Sequence, residues 1–137
     1  MALSKPTFFI IGAPKCGTTS LHTYLNSHSQ ITMSHPKEPH YFSTDIENGG
    51  IRNKEKYEDC FSHSDGNAVA VGESSTLYLY SKVAVQNICK YNKDAKFITM
   101  IRNPIEIARS FHQVALKVFG EIETDFQKAW LLEESRK

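Results

Sequence analysis

Apolar runs of strand length alternate with helical patterns along most of the 137 residues. The first run, residues 7–12, is continuous and ends in a glycine, which is typical of a buried parallel strand. Three further runs predict strands, at residues 30–33, 68–73 and 95–101. Helical patterns predict helices at residues 18–28, 54–61, 81–91, 104–119 and 126–137, and residues 34–53, with two prolines and two glycines, predict a loop.

This alternation predicts an α/β fold with a central parallel sheet, because a right-handed crossover joins each pair of parallel strands. We expect a three-layer arrangement, with helices on both faces of the sheet, in a single domain over residues 1–137. The last helical pattern has no stop signal. We therefore also expect that the domain is truncated at its carboxyl end.

Composition adds limits on location and partners. Apolar residues make up 40% of the chain and charged residues 23%, as in a soluble globular protein. The net charge of +1 predicts no general attraction to nucleic acid or to an anionic membrane. The three cysteines lack C-x-x-C spacing, so we expect free thiols, no metal site and a reducing compartment. No apolar stretch is long enough for a membrane span, and we expect a cytoplasmic protein.

The segment from Gly12 to Ser20, GAPKCGTTS, lies between the first strand and the first helix. This arrangement aims backbone N–H groups and a helix N-terminus at an anion. Gly12 and Gly17 keep the spacing of a nucleotide P-loop, but Thr18 occupies the lysine position and Lys15 lies on the loop crest. The segment therefore predicts a P-loop-like site for phosphate or sulfate; the alternative is a tight turn in which Gly17 serves the backbone alone.

A second segment follows the fourth strand. Arg102 comes at the carboxyl end of that strand, where open α/β sheets bind ligands, and Ser110 lies two helical turns later. The two side chains can converge on one phosphate. A P-loop kinase is expected to carry a magnesium-binding aspartate near such a strand end, whereas this chain has Arg102 and Asn103, which favours an anion site without metal. The alternative for Arg102 is a surface ion pair with Glu106.

Both segments resemble the sulfotransferases that use 3′-phosphoadenosine 5′-phosphosulfate as donor. The run from Pro14 to Leu21 resembles the family's 5′-phosphosulfate loop, and the pair Arg102 and Ser110 resembles its 3′-phosphate site. The resemblance implies that the 5′-phosphosulfate is held by Lys15, Cys16, Gly17, Thr18, Thr19 and Ser20.

Residues 36–42, PKEPHYF, are similar to a segment of the heparan-type and bacterial carbohydrate sulfotransferases that carries a catalytic glutamate. The resemblance implies that Glu38 is the base. His40 is a second candidate, because an acceptor hydroxyl needs a carboxylate or an imidazole to take its proton. The alternatives are a loop carboxylate paired with Lys37 and a packed histidine.

Residues 73–78, ESSTLY, occupy the place of an E-K-T-P-x-Y-like segment in related enzymes. Ser74 replaces the lysine and Thr76 replaces the proline, so a lysine contact at this position is in doubt. Glu73 is either functional or a loop carboxylate that caps the next helix.

These features together predict in-line sulfuryl transfer from 3′-phosphoadenosine 5′-phosphosulfate to an acceptor hydroxyl, with adenosine 3′,5′-bisphosphate as the product and Lys15 stabilising the charge that develops. One rival is an ATP-dependent small-molecule kinase. The other is a non-catalytic module that binds an anion or a nucleotide. Neither the acceptor, whether carbohydrate or small molecule, nor the oligomeric state follows from the residues.

Overall fold

The computed structural model describes residues 5–47, 49–64 and 66–136. The chain forms two compact units, Met1–Ile101 and Arg102–Lys137. The expectation of a single domain stays a prediction.

The first unit contains a four-stranded sheet in the order β2-β3-β1-β4. Its strands are β1 (Phe8–Gly12), β2 (Ile31–Met33), β3 (Ala70–Ser74) and β4 (Lys96–Thr99). Every pairing between neighbouring strands is parallel. The helices of this unit are α1 (Thr18–Asn26), α2 (Lys54–Asp59) and α3 (Ala84–Tyr91). The predicted α/β fold with a parallel sheet and flanking helices is confirmed.

Strand β1 is the centre of this unit because it pairs with β3 on one side and β4 on the other. The chain leaves β1 toward one edge of the sheet and later returns to pair on its other side, so the end of β1 lies at a topological switch point. Open α/β sheets bind ligands at such a point. The loop after β1 is therefore well placed to hold one.

The core of the unit is largely aromatic. Phe9 of β1 is fully buried and meets the edge of Phe42 at a ring separation of 5.9 Å. Phe42 and Phe61 both pack edge-on against Tyr57 of α2, at 5.3 Å and 5.4 Å. Aromatic pairs in this geometry add to the stability gained from burial. The core thus fixes the chain that follows β2 against the central strand.

Helix α3 begins later than its pattern predicts. Residues 81–83 are not helical; the Ser81 hydroxyl accepts hydrogen bonds from the N–H groups of Val83 and Ala84 at 3.2 Å and 3.0 Å. A serine that binds the following backbone in this way favours a turn over a helix interior. A 3₁₀ helix, Thr76–Leu79, precedes this turn and was not predicted.

Strand β4 is shorter than predicted and is largely exposed. It spans four residues, of which Ile98 is half-buried, and Phe97, 37% exposed, stacks on Phe9 of β1. The prediction of a strand at residues 95–101 is confirmed for Lys96–Thr99 and is wrong at both ends of that run; β4 is an edge strand of the described sheet.

The second unit is helical. Helix α4 (Pro104–Val114) begins with the Asn103 side chain accepting a hydrogen bond from the N–H of Ile105 at 2.9 Å, and proline occupies its first turn as predicted. The helix then widens into a π-helix, Ala115–Phe119, which Gly120 ends with a φ of 75°. Helix α5 spans Phe126–Leu131. The predicted helix over 126–137 is wrong for residues 132–136, which include a 3₁₀ turn, Glu134–Arg136; residue 137 lies outside the described residues.

Cys16, Cys60 and Cys89 are free thiols, as predicted. Among the described residues, every helix is too short or too polar to cross a membrane. Cytoplasmic location stays a prediction.

Candidate active site

The loop between β1 and α1 is shaped by its two glycines. Gly12 has a φ of 155°, and a Cβ on it would lie 2.9 Å from the Cβ of Leu79 and 3.0 Å from the carbonyl oxygen of Thr76. Gly17 has a φ of 84°, a left-handed conformation that favours glycine. The sequence therefore needs glycine at both positions for physical reasons: close approach at the first and backbone conformation at the second.

Helix α1 begins at this loop without a cap. Gly17 has no side chain to accept from the first N–H groups, and the first turn of the helix carries no acidic residue. The unpaired N–H groups and the helix dipole leave a partial positive charge at this end. An anion is the natural partner for such an end.

The side chains of the loop differ in exposure. Cys16 and Thr18 are buried, at 7% and 4% exposure, and Lys15 is half-buried. Thr19 and Ser20 are exposed on α1. All six predicted donor-binding residues of the loop thus occupy one strand-to-helix junction, and their individual roles stay predictions.

The segment that carries Glu38 and His40 is bound to the end of β3. The N–H of Glu38 donates to the carbonyl oxygen of Ser74 at 2.9 Å, and the N–H of His40 donates to the hydroxyl of Ser75 at 3.0 Å. The guanidinium of Arg52 donates to the carbonyl oxygen of His40 at 2.7 Å. Both predicted base candidates are therefore anchored through their main chain beside the carboxyl end of a central strand.

Glu38 is a half-buried carboxylate that lies between the side chains of Lys37 and His40. Its Oε1 accepts a hydrogen bond from the ammonium of Lys37, and its Oε2 lies 3.2 Å from Nε2 of His40. The hydrogen bond with His40, and then the Lys37 ammonium, lower the pKa of Glu38 to about 2 although burial opposes this. Glu38 is ionised at neutral pH, and the pairing with Lys37 that the sequence left open is present.

Three residues carry left-handed backbone without being glycine: Lys15, Glu38 and His40, with φ values of 64°, 61° and 51°. They are the non-glycine residues with positive φ in the described parts of the chain, and they are also the three predicted catalytic residues. Strained backbone of this kind concentrates at functional sites. This coincidence supports the three assignments without testing them.

Glu73 is a buried acid in β3, so the alternative of a loop carboxylate capping a helix is wrong. Its Oε2 accepts hydrogen bonds from the hydroxyls of Tyr57 and Tyr78, at 2.7 Å and 3.2 Å. Its Oε1 has no partner in hydrogen-bond geometry within the described residues. Complete burial raises the pKa of Glu73 to about 7, against the smaller lowering effects of Ser75, Tyr57 and Tyr78.

One residue near this site gave no signal in the sequence. His22 of α1 lies with its Nδ1 3.0 Å from the hydroxyl of Ser74, the residue that replaces a lysine in the family-like segment. The two residues are 52 positions apart, and a histidine on a short helix has no distinctive pattern. Sequence analysis therefore did not identify His22.

Arg102 and Ser110 lie in the second unit, where they line one cleft with Glu106, Arg109 and Gln113. The Nε of Arg102 is 2.7 Å from Oε2 of Glu106. The ion pair that the sequence analysis gave as the alternative role of Arg102 is therefore present. Both groups are substantially exposed, and such pairs contribute little to stability. The convergence of Arg102 and Ser110 on one cleft fits the predicted phosphate site, which stays a prediction.

Comparison with known proteins decides the family. A solved sulfotransferase from Alicyclobacillus acidocaldarius has a TM-score of 0.85 with this chain and 34% sequence identity, over 98% of this chain and 59% of its own. The model of the Sulfotransferase family matches residues 6–67, which include the loop and Glu38. The chain belongs to the sulfotransferase family.

Two relatives show which kinds of sulfotransferase are similar to this chain in sequence. Membrane-associated sulfotransferase kil1 of Dictyostelium discoideum is 30% identical over 115 residues, 84% of this chain and 24% of that protein. The Bifunctional heparan sulfate N-deacetylase/N-sulfotransferase 2 of Bos taurus is 32% identical over 111 residues, 79% of this chain and 13% of that protein. The chain thus spans a quarter or less of the length of these two sulfotransferases.

The buried acid of this sulfotransferase chain makes the pH dependence of stability testable. Glu73 has a raised pKa in the folded state, so between the ordinary pKa of 4.5 and about 7 the folded state binds a proton that the unfolded state has lost. Stability contributed by Glu73 therefore falls as the pH rises through this window and is level above it. Glu73→Gln should remove this fall, as measured by urea unfolding midpoints from about pH 4.5 to pH 8.

The exposed Glu47 supplies the control. Glu47→Gln should leave the pH dependence of the wild type in place. Parallel curves for the wild type and Glu73→Gln over the whole range would contradict the raised pKa.

Proposed function

We propose that this chain is the donor-binding part of an enzyme that transfers a sulfuryl group from 3′-phosphoadenosine 5′-phosphosulfate to an acceptor hydroxyl. The observation that carries the proposal is the uncapped start of α1 after a glycine-bounded loop with Lys15 at its crest. Membership of the sulfotransferase family supports the reaction class. The donor, the acceptor and the roles of individual residues are inferred from the geometry described above.

The loop would hold the 5′-phosphosulfate. The N–H groups at the start of α1 have no side-chain cap and are therefore available to an anion, and the hydroxyls of Thr18, Thr19 and Ser20 lie on the same turn. The Lys15 ammonium would stabilise the negative charge that develops on the sulfuryl oxygens and on the bridging oxygen. These contacts are strongest in the transition state, which is the condition for catalysis.

Glu38 would accept the proton of the acceptor hydroxyl. The hydroxyl O–H bond breaks, the oxygen forms a bond to sulfur, and the bond from sulfur to the bridging oxygen breaks with its electron pair on the departing adenosine 3′,5′-bisphosphate. The low pKa of Glu38 keeps the carboxylate in its proton-accepting form at every physiological pH. His40, which shares a hydrogen bond with Glu38, is the second candidate for this step.

Arg102 and Ser110 would hold the 3′-phosphate of the donor. The guanidinium of Arg102 can bind phosphate through paired, charge-assisted hydrogen bonds. The hydroxyl of Ser110, which lines the same cleft, can add another hydrogen bond. The phosphate would compete with Glu106 for Arg102. Because that pair is exposed, the competition costs little.

The carbohydrate part of the acceptor proposal is supported by the relatives, and the hydroxyl part by the family resemblance of the sequence. The bovine relative is named for N-sulfation of heparan sulfate, a carbohydrate that it sulfates on nitrogen. We therefore propose a hydroxyl-bearing carbohydrate, or a small molecule with a comparable hydroxyl, as acceptor.

Ligand binding tests the donor site. Adenosine 3′,5′-bisphosphate should raise the thermal unfolding midpoint of the protein, because a ligand at a hundred times its Kd adds about 2.7 kcal/mol to the stability of the folded state. ATP with magnesium should have a smaller effect. Lys15→Met should lose most of the shift, whereas Lys54→Met, which removes an exposed ammonium from α2, should keep it. A larger shift with ATP and magnesium than with the bisphosphate would favour the kinase.

The 3′-phosphate site is tested by nucleotide preference. Arg102→Ala should abolish the preference for adenosine 3′,5′-bisphosphate over 5′-AMP, because the lost contact involves only the 3′-phosphate. Lys117→Ala removes one charge from the π-helix of the same unit and should retain the preference. Equal losses of affinity for both nucleotides in Arg102→Ala, measured by calorimetry, would remove Arg102 from this role.

The base is tested in the full-length protein with an acceptor that it sulfates. Glu38→Gln keeps the size of the side chain and removes the proton acceptor, so turnover should fall by about 10²–10⁴-fold while affinity for the bisphosphate is retained. His40→Ala separates the two candidates. Near-normal turnover in Glu38→Gln, together with loss of turnover in a folded His40→Ala, would assign the base to His40.

A further inference from the structure

His22 is joined to the Glu38 segment through a single buried residue. Ser74 is fully buried at the end of β3. Its hydroxyl lies 3.0 Å from Nδ1 of His22, and its carbonyl oxygen accepts the N–H of Glu38 at 2.9 Å. One residue of the sheet therefore fixes both the imidazole on α1 and the backbone of the proposed base.

The charged groups around His22 come from the segment that follows β2. Lys37, Glu38 and His35 act on the ring electrostatically, and Ser74 binds it from β3. Partial burial, then Lys37, and then His35 lower the pKa of His22, while Glu38 opposes them. The ring is therefore neutral at physiological pH, although it lies beside a carboxylate.

The second nitrogen of this ring makes no hydrogen bond to any residue that the structure describes. A hydrogen bond from Nδ1–H to Ser74 would leave Nε2 as the acceptor of the neutral ring. The ring is half-buried, so solvent protons reach it. His22 can thus gain and lose a proton while Ser74 keeps its orientation.

Protonation of His22 would change the charge balance at Glu38. The carboxylate already has the Lys37 ammonium and the His40 ring as partners. A further positive group nearby would hold the carboxylate more firmly in its ionised, paired form. It would then accept a proton from an acceptor hydroxyl less readily.

We propose that His22, oriented by Ser74, is a positioning residue for Glu38: its neutral ring permits proton transfer to the carboxylate, and its protonated ring opposes it. The inference rests on the proposed sulfuryl transfer and adds an ionisable group to the same site. It acts through Glu38 and requires no contact between His22 and the substrate.

The direction of the pH effect follows from the charges. Above the pKa of His22 the ring is neutral and turnover is at its plateau. As the pH falls through that pKa, the ring becomes positive and turnover declines. Titration of Glu38 itself, with a pKa of about 2, lies too low to cause a decline near neutral pH.

The electrostatic part is tested without any activity. NMR titration of the histidine rings, with the His22 signal assigned by its loss in His22→Gln, should give a pKa below the ordinary histidine value. Lys37→Met should raise the pKa of His22, and Glu38→Gln should lower it further, because the two groups act in opposite directions. Absence of a response to both substitutions would overturn the proposal.

The catalytic part is tested by the pH profile of kcat in the full-length protein, from about pH 5 to pH 8. The wild type should fall to about half of its plateau rate at the pKa found by NMR. His22→Gln should show a profile without this decline when scaled to its own maximum. A merely structural role would lower the rate and leave the shape of the profile unchanged.

His28→Gln is the matched control, since His28 is an exposed histidine just beyond the end of α1. It should keep the decline of the wild type. A decline that persists unchanged in His22→Gln would overturn the proposal and assign the titration to another group. Absence of sulfuryl transfer by the wild type at every pH would instead overturn the proposed function, and this inference with it.

Discussion

The hydrogen bonds between the end of β3 and residues 38–40 hold the backbone on which the site is built. Ser74 and Ser75 accept the N–H groups of Glu38 and His40, and Arg52 binds the carbonyl oxygen of His40. Left-handed backbone at a non-glycine residue costs about 1–2 kcal/mol, and each of these bonds returns on the order of 1 kcal/mol. The sheet therefore stabilises a conformation that the segment would not adopt by itself.

The two glutamates near the end of β3 differ in the direction of their pKa shifts. Glu38 contacts Lys37 and His40 and stays ionised, whereas Glu73, in the neighbouring strand β3, accepts hydrogen bonds from two tyrosine hydroxyls and has its pKa raised to about 7. Burial dominates at Glu73 and hydrogen bonding at Glu38, so the same residue type acquires opposite properties within one site. A half-buried carboxylate that stays charged and a buried acid with a raised pKa thus occur within the same part of the fold.

Local features of this fold could be predicted from the sequence, and long-range ones could not. The loop from Gly12 to Ser20 was predicted because glycine spacing, strand and helix lie within one short segment. The bond between His22 and Ser74 joins residues 52 positions apart, and the enclosure of Glu73 depends on hydroxyls from α2 and from the 3₁₀ helix after β3. Such contacts depend on tertiary packing, which no local pattern records.

The exposure of β4 has the same origin. Its sequence is apolar enough for a buried strand, but the described part of the chain places no further strand beside it. The exposure of a strand depends on the neighbours that it has, and even strand propensity depends on context. The sequence therefore predicted where β4 lies along the chain and could not predict its exposure.

Transfer of labelled sulfur tests the central claim most directly. The full-length protein is incubated with donor carrying radioactive sulfur and with a panel of carbohydrate acceptors, and, in parallel, with ATP carrying labelled terminal phosphate and magnesium. We predict that labelled sulfur appears in an acceptor, with one adenosine 3′,5′-bisphosphate released for each transfer, and that this transfer is lost in Lys15→Met. Label in the acceptor from ATP alone, with none from the sulfur donor, would contradict the account.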